Sequence, residues 1–243
     1  LSKIDDVDDR ISGKKKVEIE QNSPDIIDIV ENLTIPVTVL RCDYSKASHM
    51  QYLFQIFYRL NSGGNKLYNQ EIRNCIFQGN FNTLLKDLAR SPDWLNANHL
   101  TKEKVETSRF NNEERILRFF AFYYDLDRYK GKLASFLNDF MRTHKDLTDK
   151  VKNEYVSLLS RSLKIAMEIE KLSMSKNVFE AVLIGIAANI GALETKGVDI
   201  INKLYKDVEG DENFSEESLK EGIGSLEKVK NRINAAKKIF ARG

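Results

Sequence analysis

Only two cysteines occur in 243 residues, Cys42 and Cys75, too far apart for a zinc knuckle or a CxxC redox pair. So few thiols suit a reducing, cytoplasmic setting, and both read as ordinary buried side chains. An excess of charge of one sign is missing as well. Lysine and arginine number 38 against 36 acidic residues, a formal net charge of +2, so no global field selects nucleic acid and any DNA contact must be local. No apolar run reaches the roughly 20 residues that span a bilayer. The most apolar stretch, residues 178–193, carries Glu180 and Asn189 and reads as a buried core helix, so no membrane partner is expected. His49, His99 and His144 show neither HxxxH nor HNH spacing, and there is no Walker-type phosphate loop and no nucleophile triad. Metal ligation and nuclease chemistry by this chain therefore have no sequence support. Solenoid repeats and low-complexity tracts are also absent.

What is present is a helical pattern with a polar beginning. The start, LSKIDDVDDR, has neither an initiator methionine nor a basic-plus-apolar leader and reads as the interior of a longer protein. Asp5, Asp6, Asp8 and Asp9 followed by Lys14, Lys15 and Lys16 mark a mobile or edge segment. Residues 35–41, IPVTVLR, alternate Ile35, Val37 and Val39 on one side, with Pro36 tolerated at a strand start or edge. They form the one expected strand, which must find a partner to satisfy its backbone. The expected organisation is a linker and remnant strand over 1–45 and a helical domain over 46–243. The fold class is mainly α, a helical bundle with that single N-terminal strand.

Met50, Leu53, Phe54, Phe57 and Leu60 recur at three- and four-residue spacing and stop at Gly63 and Gly64. Asn69 is the expected N-cap of the next helix, with Ile72, Cys75 and Ile76 facing inward, and a short helix through Leu84, Leu85 and Leu88 precedes Pro92. Further helices are expected over 116–126, 133–141, 151–172 and 178–193. A last one starts from Ser215, an N-cap with acids in the first turn. Phe119, Phe120, Phe122, Tyr123, Tyr124 and Tyr129 have the chemistry to stack bases, but their helical spacing with Ile116 and Leu117 reads as core.

Two clusters carry the functional candidates. Arg59 follows the apolar face of its helix and borders Asn61, Ser62, Gly63 and Gly64, a turn able to adopt positive φ and offer open amides to an anion, with Arg59 supplying a bidentate grip on phosphate. A plain left-handed C-cap explains the same glycines. Glu71, Asn74 and Gln78 share a face of the following helix with Arg73 beside them. A carboxylate there can orient Arg59, coordinate a metal, act as a base or simply clamp two helices. The second cluster is Lys228, Lys230, Arg232, Lys237, Lys238 and Arg242 on the last helix, either a solvated face or a DNA or partner surface.

The segment IFYRLNSGGNKLYNQEIRNCIFQGNFNTLL resembles the signature FxRLNxGGxxLxxxEIRN, followed by GxF and a leucine pair. That signature belongs to the bacterial proteins whose ParB/sulfiredoxin-like domain bears a DGQQR motif, a family that includes the GmrS half of GmrSD type IV restriction systems. The likeness continues less strictly through residues 116–141 and 177–187. It implies that the strand is a late strand of a ParB-like sheet and that the helices follow it. It also implies nucleotide-dependent restriction of modified phage DNA, with DGQQR supplying a catalytic or nucleotide-handling site and an HNH-type nuclease often fused downstream. Neither DGQQR nor an HNH arrangement occurs here. What carries over is Arg59, Asn61, Gly63, Gly64 and Glu71, with Ser62, Arg73 and Asn74 beside them, completing an NTP site from the helical side. Hydrolysis, an NTP with a divalent metal, the DGQQR domain and the nuclease module would then belong to the parent protein, an NTPase or nuclease. The rival reading is a non-enzymatic helical interaction or DNA-binding module.

Overall fold

A computed structural model describes residues 8–37, 39–43, 46–60, 67–173 and 175–243. The chain divides into two compact units, residues 1–42 and 43–243. In the first unit two short helices pack together, α1 (Lys16–Asn22) and α2 (Pro24–Glu31). Pro24 opens α2 at its first position, where the missing N–H costs nothing. Arg10 links the stretch before α1 to α2 through Asp25 at 3.0 Å. Helix α1 lies in the stretch expected to be a mobile or edge segment, and the described residues of the alternating segment 35–41 form no strand. Among the described residues no strand occurs, and Ile35, Val37 and Val39 are 77–79% exposed. Alternation alone cannot hold a strand when no second strand accepts its hydrogen bonds.

The second unit is built of helices only, among its described residues. First come α3 (Ala47–Leu60), α4 (Asn69–Ile76), α5 (Asn80–Ala89), α6 (Pro92–Ala97) and α7 (Lys102–Glu106). The long core helices follow: α8 (Asn111–Asp125), α9 (Leu133–Thr143), α10 (Asp149–Ala166) and α11 (Lys176–Ala188). The chain closes with α12 (Ile190–Leu193), α13 (Val198–Glu209) and α14 (Leu226–Phe240). Tyr68, not Asn69, is the N-cap residue of α4, and α10 stops at Ala166 rather than Leu172. Ser215 starts no α-helix. It caps a local turn, its hydroxyl accepting from the Ser218 amide, and α14 begins only after Ser225, whose hydroxyl accepts from the Lys228 amide.

Helix α11 is buried on every side because VFEAVLIGIA is apolar all round, so it becomes the axis of the unit. Helices α8, α10 and α14 surround it. Gly185 lets α14 approach closely: a Cβ there would stand 2.9 Å from the Ala236 backbone and 2.8 Å from the Phe240 ring. Around this axis Phe81, Phe120 and Tyr155 interlock, Phe120 stacking on Tyr155 with ring centroids 4.5 Å apart. Most of the α8 aromatic group is core, although Tyr124 keeps 43% of its surface exposed. Cys75 is exposed and Cys42 half-buried, so neither is the buried thiol expected. No helix among the described residues is long and apolar enough to cross a membrane.

Candidate functional site

Helix α4 starts at Tyr68, and its first turn brings Glu71 back toward the helix entrance. One Glu71 oxygen accepts the Tyr68 backbone N–H at 2.6 Å, which satisfies a donor the helix start would leave open. The same carboxylate is gripped by Arg109, Nε to Oε1 at 2.9 Å and an Nη to Oε2 at 2.7 Å, and the guanidinium lies 4.1 Å above the Tyr68 ring. Arg109 reaches this position because Arg109 and Phe110 both adopt left-handed backbone, φ 49° and 62°, immediately before α8. Two consecutive non-glycine residues in that region are strained, and such strain concentrates at functional sites.

Arg109 therefore holds Glu71 below its ordinary value, against the opposing pull of burial and with help from the Tyr68 amide. The carboxylate is ionised and already accepts three donors, so it positions Arg109 and is not set up as a general base.

Arg73, two residues on, is 1% exposed. Its guanidinium donates to Gln70 at 3.0 Å, to Glu114 at 3.1 Å and to Asn138 at 2.9 Å. Burial pushes Glu114 up, but Arg73 and Lys176, the latter at 3.3 Å, outweigh it and leave Glu114 below its ordinary value. Between the starts of α4 and α8 opens a cleft of about 420 Å³, with Tyr68, Gln70, Ser108, Arg109, Asn111 and Glu114 on its walls.

Of the residues named from sequence, Asn61, Ser62, Gly63 and Gly64 lie outside the described residues. Arg59 is exposed on the last turn of α3, beside a shallow groove with Phe54, Gln55 and Tyr58. Glu71 pairs with Arg109 rather than Arg59. Arg73 is committed inside the protein, where no phosphate reaches it, and Asn74 is half-buried, its Oδ1 accepting from Gln70. Tyr68, Arg109, Glu114, Asn138 and Lys176 were not anticipated. The one local signal was the start of α8, SRFNNEE, which marks a turn leading into acidic first-turn residues without saying where Arg109 would point.

On α14 the basic set is smaller than the sequence suggested, because Arg232 is 1% exposed and faces the core. There it lies near the buried pair Arg118–Glu180, whose two contacts are 2.5 and 2.9 Å, yet none of its guanidinium nitrogens has a hydrogen-bond partner. Lys228 donates to the Glu221 carbonyl, and Lys230 and Arg242 face Asp127 and Asp207 at 3.9 and 3.7 Å. Lys237 is half-buried and Lys238 exposed. Among the described residues no three His, Cys, Asp or Glu side chains converge where a metal ion could sit. No family model, curated protein or solved structure matches the chain.

Proposed function

We propose that this chain is the helical C-terminal part of a GmrS-like, nucleotide-dependent DNA restriction protein of phage defence, supplying phosphate contacts to an NTP site. The observation that carries this reading is the Glu71–Arg109 clamp over Tyr68 at the edge of a cleft whose volume, about 420 Å³, suits a small ligand. Tyr68 and Glu71 belong to the same segment as the RLNSGG signature, whereas Arg109 reaches them from the start of α8. A carboxylate spent on orienting an arginine is the arrangement a phosphate clamp needs, since Arg gives planar, bidentate recognition. Arg59 and the turn 61–64 supply the remaining contacts in this reading. The NTP, its divalent metal and the hydrolytic step belong to a DGQQR-bearing domain, with an HNH-type nuclease as effector.

The test is nucleotide hydrolysis by the protein carrying both segments. Arg59→Ala is expected to abolish turnover with an almost unchanged melting temperature. Retained turnover accompanied by a large loss of stability would overturn the reading. The competing DNA-binding reading loses Arg232 to the core and rests on Lys228, Lys230, Lys237, Lys238 and Arg242. It gains if duplex binding falls steeply with salt and disappears when Lys237, Lys238 and Arg242 are neutralised.

A further inference from the structure

A cleft of about 610 Å³ lies away from α4, between the turn that ends α8 and the helix α9. Its lip is the loop Tyr129–Lys132. That loop is held from beneath: Tyr129 is 2% exposed, packs edge-on to Phe122 and Phe136 with centroids 5.2 and 5.3 Å away, and donates its hydroxyl to the Gly224 carbonyl. Gly131 turns the chain at φ 77°, so Lys130 and Lys132 stand on either side of a fixed bend. Both lysines are exposed and neither has an ion-pair partner among the described residues. Pre-organisation of this kind removes ordering cost from binding.

The charges around the cleft are asymmetric in their commitments. Arg128 and Arg142 face Asp125 and Asp139 at 3.4 and 3.7 Å, long pairs in which Asp125 and Arg142 are half-buried and their partners exposed. The third carboxylate, Asp127, is answered by Lys230 of α14 at 3.9 Å. Lys130 and Lys132 are thus surplus positive charge on the lining of the cleft. The Arg142 Nε is buried without a hydrogen-bond partner. The first turn of α9 adds to the same sign, because it has neither an acidic residue nor a side-chain cap.

We infer that this cleft is a second anion site, taking the phosphate group of a nucleotide-sized ligand between Lys130 and Lys132. The three aspartates on the rim decide the size class. A nucleic-acid backbone needs an uninterrupted track of cations and would be repelled by that rim, whereas a compact terminal phosphate needs only the two unpaired lysines. This site is separate from the Glu71 cleft and does not depend on the reading of it.

Pyrophosphate is the probe, followed through the amide resonances of residues 130–135 in the folded chain. Saturable shifts are expected there. Lys130→Gln with Lys132→Gln should weaken binding by about tenfold or more. Lys130→Arg with Lys132→Arg should retain it, which separates charge from any effect on folding. Arg109→Ala should leave this binding untouched, so failure here and failure of the Glu71 reading are distinguishable. No saturable shift at 130–135, shifts that survive the double glutamine variant, or binding of oligonucleotide but not pyrophosphate would each overturn the inference.

Discussion

Arg232 and Glu180 pose the sharpest question at the scale of single residues. A buried guanidinium without a hydrogen-bond partner carries a desolvation cost that the field of Glu180 offsets only in part, so burial still lowers its pKa. Arg232→Met, which keeps the packing stem and removes the charge, is therefore expected to stabilise the protein by about 1–4 kcal/mol in urea unfolding. A clear loss of stability would mean that the guanidinium is repaid. Glu180→Gln should act in the opposite direction and cost about 3–5 kcal/mol, because it strips Arg118 of its carboxylate and leaves two arginines in the core. Glu71→Gln is a gentler change: the capping bond to Tyr68 survives, but the charge that fixes Arg109 is lost. It should lower nucleotide affinity in a binding titration more than it lowers the melting temperature.

At the scale of elements the contact between α11 and α14 is the most extensive helix pair among the described residues, and it depends on one missing side chain. Gly185→Ala would push a methyl group to within 3 Å of both the Ala236 backbone and the Phe240 ring. Backbone cannot swing aside as a side chain can, so the expected cost is about 1–3 kcal/mol, read as a drop in melting temperature. Ser225→Ala tests the start of the same helix and should cost about 1 kcal/mol, since it removes the acceptor for the Lys228 amide. Helices α8, α9 and α11 were legible from apolar spacing within a few residues of their ends. Helices α1 and α2 were not, because the lysine- and aspartate-rich stretch before them masks short helices whose caps and tertiary contact, rather than a long apolar stripe, hold them. The start of α14 was misplaced for a related reason: Ser215 has the chemistry of an N-cap, but Gly222 and Gly224 follow before any helix can run.

For the whole molecule, the three shifted glutamates that are buried or half-buried, Glu71, Glu113 and Glu114, shape how stability responds to acid. Glu71 and Glu114 titrate below their ordinary values, the first through Arg109 and the second through Arg73 and Lys176 overcoming burial. A depressed carboxylate contributes stability above its unfolded pKa and loses it as pH falls through the folded value. Their contribution is thus complete at neutral pH and disappears below about pH 4. Glu113 has the opposite sign. Burial raises its pKa, with Arg90 only 3.6 Å away as partial relief, so its ionised form is a liability at neutral pH that protonation removes. Melting temperature against pH should therefore rise slightly on mild acidification and then fall. Glu113→Gln should remove the rise and keep the fall, while Glu71→Gln should make the fall shallower. A wild-type curve that falls monotonically from neutral pH would contradict the burial of Glu113.

Local spacing along the chain determined that this is a helical protein, that Ile72 and Ile76 of α4 and Ile116 and Leu117 of α8 face inward, and that α11 is a buried core helix, because a helix repeats its environment every three or four residues. It also marked 54–81 as the segment to watch. Only tertiary structure decided that Glu71 meets Arg109, that Arg73 meets Asn138 and that Arg118 meets Glu180. Those partners lie 38, 65 and 62 positions apart, and at such separations no local rule pairs one cation with one carboxylate or amide. The same holds for Arg232, whose place in the core follows from how α14 seats on α11, and for residues 35–41, whose alternation has no effect without a second strand.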